Sequence, residues 1–235
     1  MKTQPPPHVP APPCSEAAQL SRQKWNWLMV VGIVSVIACF IWVTRPVVIR
    51  SHRNSEHTEA LGNARRVGLA LFEFEMEYGK FPDETTIEMV ERKAPAGMIL
   101  GNSSANDLLR QLIASGIASD ERMFHAKIPG SRKPDGRIAG DEALGKGEVG
   151  FSYLAGMSTA GNPSRPVLVT PVIPGTNRFD RDVFDGGAVM LKIDNSAISI
   201  RIEKSGHFVK DRKHILDPAN PVWGTVEKWK LFWPR

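Results

Sequence analysis

The chain has 235 residues, of which 42 % are hydrophobic and 23 % charged, and this composition excludes a globally disordered protein. Lys and Arg number 30 against 25 Asp and Glu, a net charge of +5, but the basic residues are scattered in small groups such as Arg65-Arg66 and Ser131-Arg132-Lys133. Specific nucleic-acid binding is therefore not expected. The two cysteines, Cys14 and Cys39, exclude a disulfide framework or a cysteine zinc site after residue 45.

The first 24 residues form a polar tail that is rich in proline. Its prolines are Pro5, Pro6, Pro7, Pro10, Pro12 and Pro13. Proline cannot donate a backbone hydrogen bond and favours extended conformations, so the sequence predicts an extended or disordered tail over residues 1–24.

Residues 25–43 form an apolar run without a charged side chain, and they predict a transmembrane helix over residues 25–44. At 1.5 Å per residue, about 19 residues cross the roughly 30 Å hydrocarbon core of a bilayer. Trp25, Trp27 and Trp42 lie at the ends of the run, where aromatic rings favour the membrane interface. A cleaved signal peptide is the alternative, but Thr44-Arg45-Pro46 is not a small-residue cleavage site, so retention as an anchor is favoured.

The flanking charges do not decide the orientation of this segment. Arg22 and Lys24 precede the run, whereas Arg45, Arg50 and Arg53 follow it, so a count of basic residues leans by one towards a cytoplasmic domain.

After an irregular linker predicted over residues 45–54, the pattern indicates an α+β globular domain over residues 55–235. Residues 55–78 are predicted to be an amphipathic helix, in which Val67, Leu71 and Phe74 belong to the core. Shorter helices are predicted over residues 84–93 and 104–116. Strand patterns then begin at Phe151, Pro166, Ala188 and Ala197. Helices followed by a small antiparallel sheet define the α+β class.

The segment Glu77-Tyr78-Gly79-Lys80-Phe81-Pro82 closes the predicted amphipathic helix. Together with the apolar N-terminal helix and the small C-terminal sheet, it resembles the pilin fold, and it is most similar to the pseudopilins of type II secretion and to pilin-like proteins. The resemblance covers roughly residues 25–205. It implies a single-pass protein of the bacterial inner membrane with a periplasmic domain, which contacts the lipid bilayer through residues 25–43. It also implies homo- or hetero-oligomers with other envelope-assembly subunits. The leader motif of that family, Gly followed by Phe-Thr-Leu-x-Glu, is absent from residues 24–44, so processing is not implied.

Asp180, Asp182 and Asp185 are the candidate metal ligands, because they bring oxygen atoms together on one turn, as Ca²⁺ prefers. Some pseudopilins bind calcium in a loop near the sheet, which supports this hypothesis. The alternative is ordinary turn chemistry, since the spacing is not that of an EF-hand and Arg181 interrupts the cluster. No other cofactor is predicted.

No catalytic constellation is recognisable in the sequence. His125, His207 and His214 lack metal-ligand spacing, and the chain has no P-loop, His-Glu-x-x-His or Gly-x-Ser-x-Gly motif. The favoured interpretation is a non-enzymatic, pilin-like structural or accessory subunit of a secretion or filament-type envelope assembly. The alternatives are a membrane-tethered module that binds a ligand or polymer outside the cytoplasm and, less favoured, a tethered hydrolase.

Overall fold

The computed structural model describes residues 16–95, 97–224 and 229–235, and within the first helix it describes the side chains of Trp27, residues 29–42, Arg45 and the residues from His52 onward. The chain divides into two compact units, Met1–Ile49 and Arg50–Arg235. The second unit is called the domain below. Of the predicted tail, residues 1–15 lie outside the described residues.

Helix α1 spans Glu16–Tyr78 and is longer than the sequence pattern predicts. It includes residues 45–54, where an irregular linker was predicted, and residues 16–24 of the predicted tail. The proline at position 46 removes one backbone donor, but the helical sequences on both sides of it are long enough to continue the helix. Gly79, with a φ of 81°, ends α1 as predicted.

The predicted membrane segment, residues 25–43, lies partly outside the residues whose side chains are described. Among the residues that the structure does describe, no helix is both long enough and apolar enough to cross a membrane.

The domain is α+β, as predicted, and its main sheet is small and antiparallel. The helices after α1 are α2 (Ile87–Glu91) and α3 (Ala105–Ala114). The strands are β1 (Ser152–Ala155), β2 (Pro166–Thr170), β3 (Gly187–Lys192), β4 (Ala197–Arg201), β5 (Val209–Lys210), β6 (Lys213–His214) and β7 (Lys230–Phe232). The main sheet has five strands in the order β4-β3-β2-β1-β7, and a separate pair joins β5 to β6.

The C-terminal part of α1 supplies one side of the core. Val67, Leu71 and Phe74 are at most 1 % exposed, which confirms the predicted apolar face. Gly68 marks the closest approach to the sheet, because a Cβ atom there would lie 1.9 Å from Asn195 Oδ1, in the β3–β4 turn. Asn195 itself has a φ of 60°, which asparagine tolerates in tight turns.

Helix α3 is buried on all sides, and its polar face forms a buried centre of its own. Ser104 caps the helix by accepting a hydrogen bond from the Asp107 N–H at 3.2 Å. Arg110 Nε donates to the Ala143 carbonyl at 2.7 Å, and its guanidinium lies 3.6 Å from Asp107 Oδ1. Arg235 reaches the same carboxylate at 3.0 Å. The carboxylate of Asp107 is therefore buried between two arginines.

Candidate functional site

One face of α1 remains on the surface of the domain and offers an interaction surface. Leu69 and Met76 are 62 % and 86 % exposed, and they are seven residues apart, which places them on the same side of the helix. We call this surface the outer face of α1. Its exposed residues are Thr58, Glu59, Gly62, Arg65, Arg66, Leu69, Glu73 and Met76.

In the first unit, residues 29–42 of α1 carry no charged side chain. All of them are exposed. Its large apolar side chains are between 44 % and 81 % exposed. They are Trp27, Met29, Val30, Val31, Ile33, Val34, Val36, Ile37, Phe40, Ile41 and Trp42. An uncovered apolar surface of this extent is uncommon on a soluble monomer and indicates an interaction site.

The three aspartates predicted to bind calcium lie in the loop before β3. Asp180 Oδ1 accepts a hydrogen bond from the Asp182 N–H at 2.9 Å, which is ordinary turn chemistry. Asp185 has a φ of 51° and faces a separate cleft. The guanidinium of Arg181 lies beside Gly186 in the same loop, where its charge opposes a cation. Among the described residues, these three carboxylates do not converge on one point. The calcium site stays a prediction.

The cleft beside Asp185 contains a histidine and a serine in contact. His57 Nε2 lies 3.2 Å from Ser199 Oγ, and the His57 ring packs edge-on against Phe184. The N–H groups of Gly186 and Gly187 line the same cleft, but they already donate to the Arg181 and Phe184 carbonyls. These two donors are therefore not available to stabilise an oxyanion, and we assign no reaction to the pair.

A different group of carboxylates does converge. Ligand oxygens of Glu121, Asp135 and Glu148 lie within 4.8 Å of one another, close enough for a metal ion. We call this group the carboxylate cluster. Both glutamates are fully buried. Sequence reasoning missed the group because 13 residues or more separate its members, and charged residues far apart in a sequence are usually on the surface.

The buried carboxylates of the carboxylate cluster accept hydrogen bonds from backbone N–H groups of the segment 135–145. Glu121 accepts from the N–H groups of Leu144 at 2.7 Å and Gly136 at 2.9 Å. Glu148 accepts from the N–H groups of Gly145 at 2.6 Å and Asp135 at 3.2 Å. Burial raises the pKa of Glu121, the backbone donors oppose this, and the nearby charges of Glu148 and Asp135 raise the pKa further. These hydrogen bonds hold residues 128–148 against the rest of the domain.

Two of the histidines considered in the sequence analysis, His207 and His214, lie together, although their spacing in the sequence did not indicate it. The rings of His207 and His214 are 4.5 Å apart. His214 Nε2 lies 2.5 Å from the Asn177 carbonyl, and its Nδ1 is next to the Phe208 backbone. Both ring nitrogens therefore face backbone partners, and the pair fits a structural role better than a metal site. His125 lies elsewhere, where burial lowers its pKa.

Comparisons of this chain with protein-family models, with curated proteins and with solved structures found no match.

Proposed function

We propose that this protein is a membrane-anchored, non-enzymatic, pilin-like structural or accessory subunit of a secretion or filament-type envelope assembly. One observation carries the proposal. The same helix, α1, exposes apolar side chains throughout residues 29–42 and buries a regular stripe, including Val67, Leu71 and Phe74, in the core of an α+β domain. An anchor continuous with the central helix of a small antiparallel-sheet domain is the arrangement expected of the pilin class.

The apolar stretch supports a membrane location. Exposing eleven large apolar side chains to water is unfavourable, by roughly 25 cal/mol for each Å² of apolar surface. Lipid chains remove this cost, and a helix satisfies its own backbone hydrogen bonds inside a bilayer. Trp27 and Trp42 then lie at the two interfaces. In this proposal residues 25–43 span the inner membrane once, and the domain is periplasmic.

The outer face of α1 supports an assembly role, and its occupant in the proposal is α1 of a second copy. Leu69 and Met76 supply an apolar contact, and Arg66 and Glu73 supply opposite charges seven residues apart. A parallel copy shifted along the helix axis by about 10 Å places Arg66 of one copy beside Glu73 of the next. Helix faces of this kind associate through apolar contacts with charges at the edge.

Cysteine crosslinking in intact membranes tests the assembly. In a chain with Cys14→Ser and Cys39→Ser, we expect Leu69→Cys to form disulfide-linked dimers under mild oxidation. Lys204→Cys, at an exposed residue outside α1, is the matched control and should remain monomeric. Equal crosslinking at both sites, or none at Leu69, would contradict an α1 interface. Arg66→Glu should weaken the crosslink, and adding Glu73→Arg should restore it.

A reporter that is active only outside the cytoplasm, fused after Arg235, tests the location. The proposal expects a signal from this reporter and none from a reporter that is active in the cytoplasm. The reverse result would reject a periplasmic domain and, with it, the pilin-like role.

A further inference from the structure

A cationic cleft lies beside α1 in the domain and shares only Glu59 with the outer face of α1. It has a volume of about 430 Å³ and is lined by Glu59, Arg122, His125, Lys127, Ser131, Lys133 and Pro134. Three of these side chains are permanently positive and one is negative. A cleft of this volume falls within the range of small-ligand sites.

The local fold explains why these side chains converge. Arg132, between Ser131 and Lys133, turns towards the carboxylate cluster and lies 3.2 Å from Glu148. Its two neighbours line the cleft instead. The Ile128 N–H donates to Ser131 Oγ at 3.1 Å, which fixes the turn and leaves the serine hydrogen free to rotate towards a ligand. The carboxylate cluster thus holds the loop that supplies half of the cleft.

The opposite wall is fixed by α1. Asn63 donates to the His125 carbonyl at 2.9 Å, and Lys127 forms an ion pair with Glu56. Burial lowers the pKa of His125, with Glu59 opposing this effect and Lys127 adding to it. The imidazole is therefore neutral near pH 7, when one ring nitrogen can donate a hydrogen bond.

The cations remain available to a ligand. Lys133 has no carboxylate within ion-pair distance in the part of the chain that the structure describes. Arg122 pairs with Asp120, and both side chains are exposed, at 74 % and 39 %. Exposed ion pairs are weak, so a ligand can compete for Arg122 at little cost. Lys127 is 57 % exposed but its partner Glu56 is only 13 % exposed, so Lys127 keeps this ion pair and offers a ligand its remaining N–H donors.

We propose that this cleft binds a phosphoryl group, either on a small soluble molecule or on a lipid headgroup. Two lysines, an arginine, a serine hydroxyl and an imidazole N–H can together donate to the several oxygens that such a group presents. Glu59, on the α1 side, disfavours a second negative group there, so a single compact phosphoryl group fits better than an extended polyanion.

Titration calorimetry on the full-length protein in a neutral detergent tests the proposal, with ionic strength held constant. Inorganic phosphate is the first probe. A short-chain phosphatidic acid below its micelle concentration is the second, with the corresponding diacylglycerol, which lacks the phosphoryl group, as its control. Saturable binding of phosphate would support the site and indicate that its natural ligand is a small soluble molecule. Binding of phosphatidic acid alone would support the site and indicate that its natural ligand is a lipid headgroup. Binding of neither probe overturns the proposal.

Variants then locate the binding. We expect Lys133→Gln to weaken binding about fivefold, the effect of one exposed charge contact, and Lys127→Gln with Lys133→Gln to remove saturable binding. Lys204→Gln, an exposed lysine remote in sequence from the cleft, should leave the affinity unchanged. All three positions are on the surface, so the variants should fold, which circular dichroism checks. Equal weakening by Lys204→Gln would show non-specific attraction and reject the site.

Discussion

Two of the places where the domain buries carboxylates stabilise them in different ways. At α3, Asp107 lies between Arg110 and Arg235 and accepts hydrogen bonds from the N–H and the hydroxyl of Ser103. In the carboxylate cluster, two buried glutamates lie beside each other, and Arg132, which contacts Glu148, is 55 % exposed. At α3 the positive charges of two arginines compensate the buried charge of Asp107. The carboxylate cluster relies mainly on hydrogen bonds from backbone N–H groups.

The pKa shifts follow this difference. Burial alone would raise the pKa of Asp107, but hydrogen bonds from Ser103 and Ser104 and the charges of Arg235 and Arg110 together lower it. The pKa of Glu121 is raised, first by burial and then by like charges. Despite burial, the serines and arginines favour the charged form of Asp107, whereas burial and like charges disfavour that of Glu121, so the two centres should respond oppositely to pH.

The largest effect is expected from Arg110→Met. This change leaves Asp107 buried with less compensation and removes the donors to the Ala143 and Ile99 carbonyls. Breaking a buried ion pair by removing one partner costs about 3–5 kcal/mol, so we expect a loss of that size in the free energy of unfolding. Urea denaturation of the full-length chain measures it. Arg92→Gln, in an exposed pair with Glu88, is the control and should cost under about 1 kcal/mol. Similar losses in the free energy of unfolding in both variants would show that burial does not increase the contribution of the Asp107–Arg110 ion pair.

A smaller and opposite pair of effects is expected from pH. The folded pKa of Asp107 is below its unfolded value, so its stabilisation exists above about pH 3.9 and is lost as the pH falls through the folded value. The folded pKa of Glu121 is above its unfolded value, so its contribution is largest below about pH 4.3 and is lost as the pH rises through the folded value.

Melting temperatures measured from pH 3 to pH 8 separate these two contributions. Asp107→Asn should flatten the acid side of the stability profile, and Glu121→Gln should reduce the loss of stability as the pH rises above about 4.3. If both variants changed the profile in the same direction, the contrast between the two centres would be disproved.

The smallest effect is expected from Arg132→Gln, the counterpart of the Arg110 change. Arg132 is half exposed, and Glu148 keeps its hydrogen bonds from Gly145 and Asp135 after the change. We expect a loss of about 1 kcal/mol or less, and it should shrink at high salt because exposed charges are screened. A loss as large as that of Arg110→Met would show that the carboxylate cluster depends on its arginine as strongly as the Asp107 centre does.

Hydrophobic periodicity predicted the elements that bury one face. The apolar stripe through Val67, Leu71 and Phe74 and the four strands from β1 to β4 lie where the pattern placed them, with small shifts at the ends. Helix α3 lies within the range predicted as a helix, 104–116, and its apolar residues Leu108 and Leu112 are fully buried.

The remaining features depend on contacts between distant segments, which periodicity does not encode. The polar residues Asn106 and Arg110 of α3 are buried because residues 143–145 and Arg235 cover them. Strand β7 follows no alternating pattern long enough to predict it, since it has three residues. The turn between β5 and β6 uses Asp211 and Arg212 at φ values of 54° and 67°, where Asn-Gly would have been the usual signal.

The burial of α3 on every side also bears on the order in which the domain forms and opens. Gln111 binds the Asp83 carbonyl, Arg110 binds those of Ile99 and Ala143, and the Ala105 N–H binds that of Trp233. These hydrogen bonds form only when the four segments that contain Asp83, Ile99, Ala143 and Trp233 have packed against the helix. Its amide protons should therefore exchange with solvent only through global opening, and they should be among the slowest to exchange in the domain.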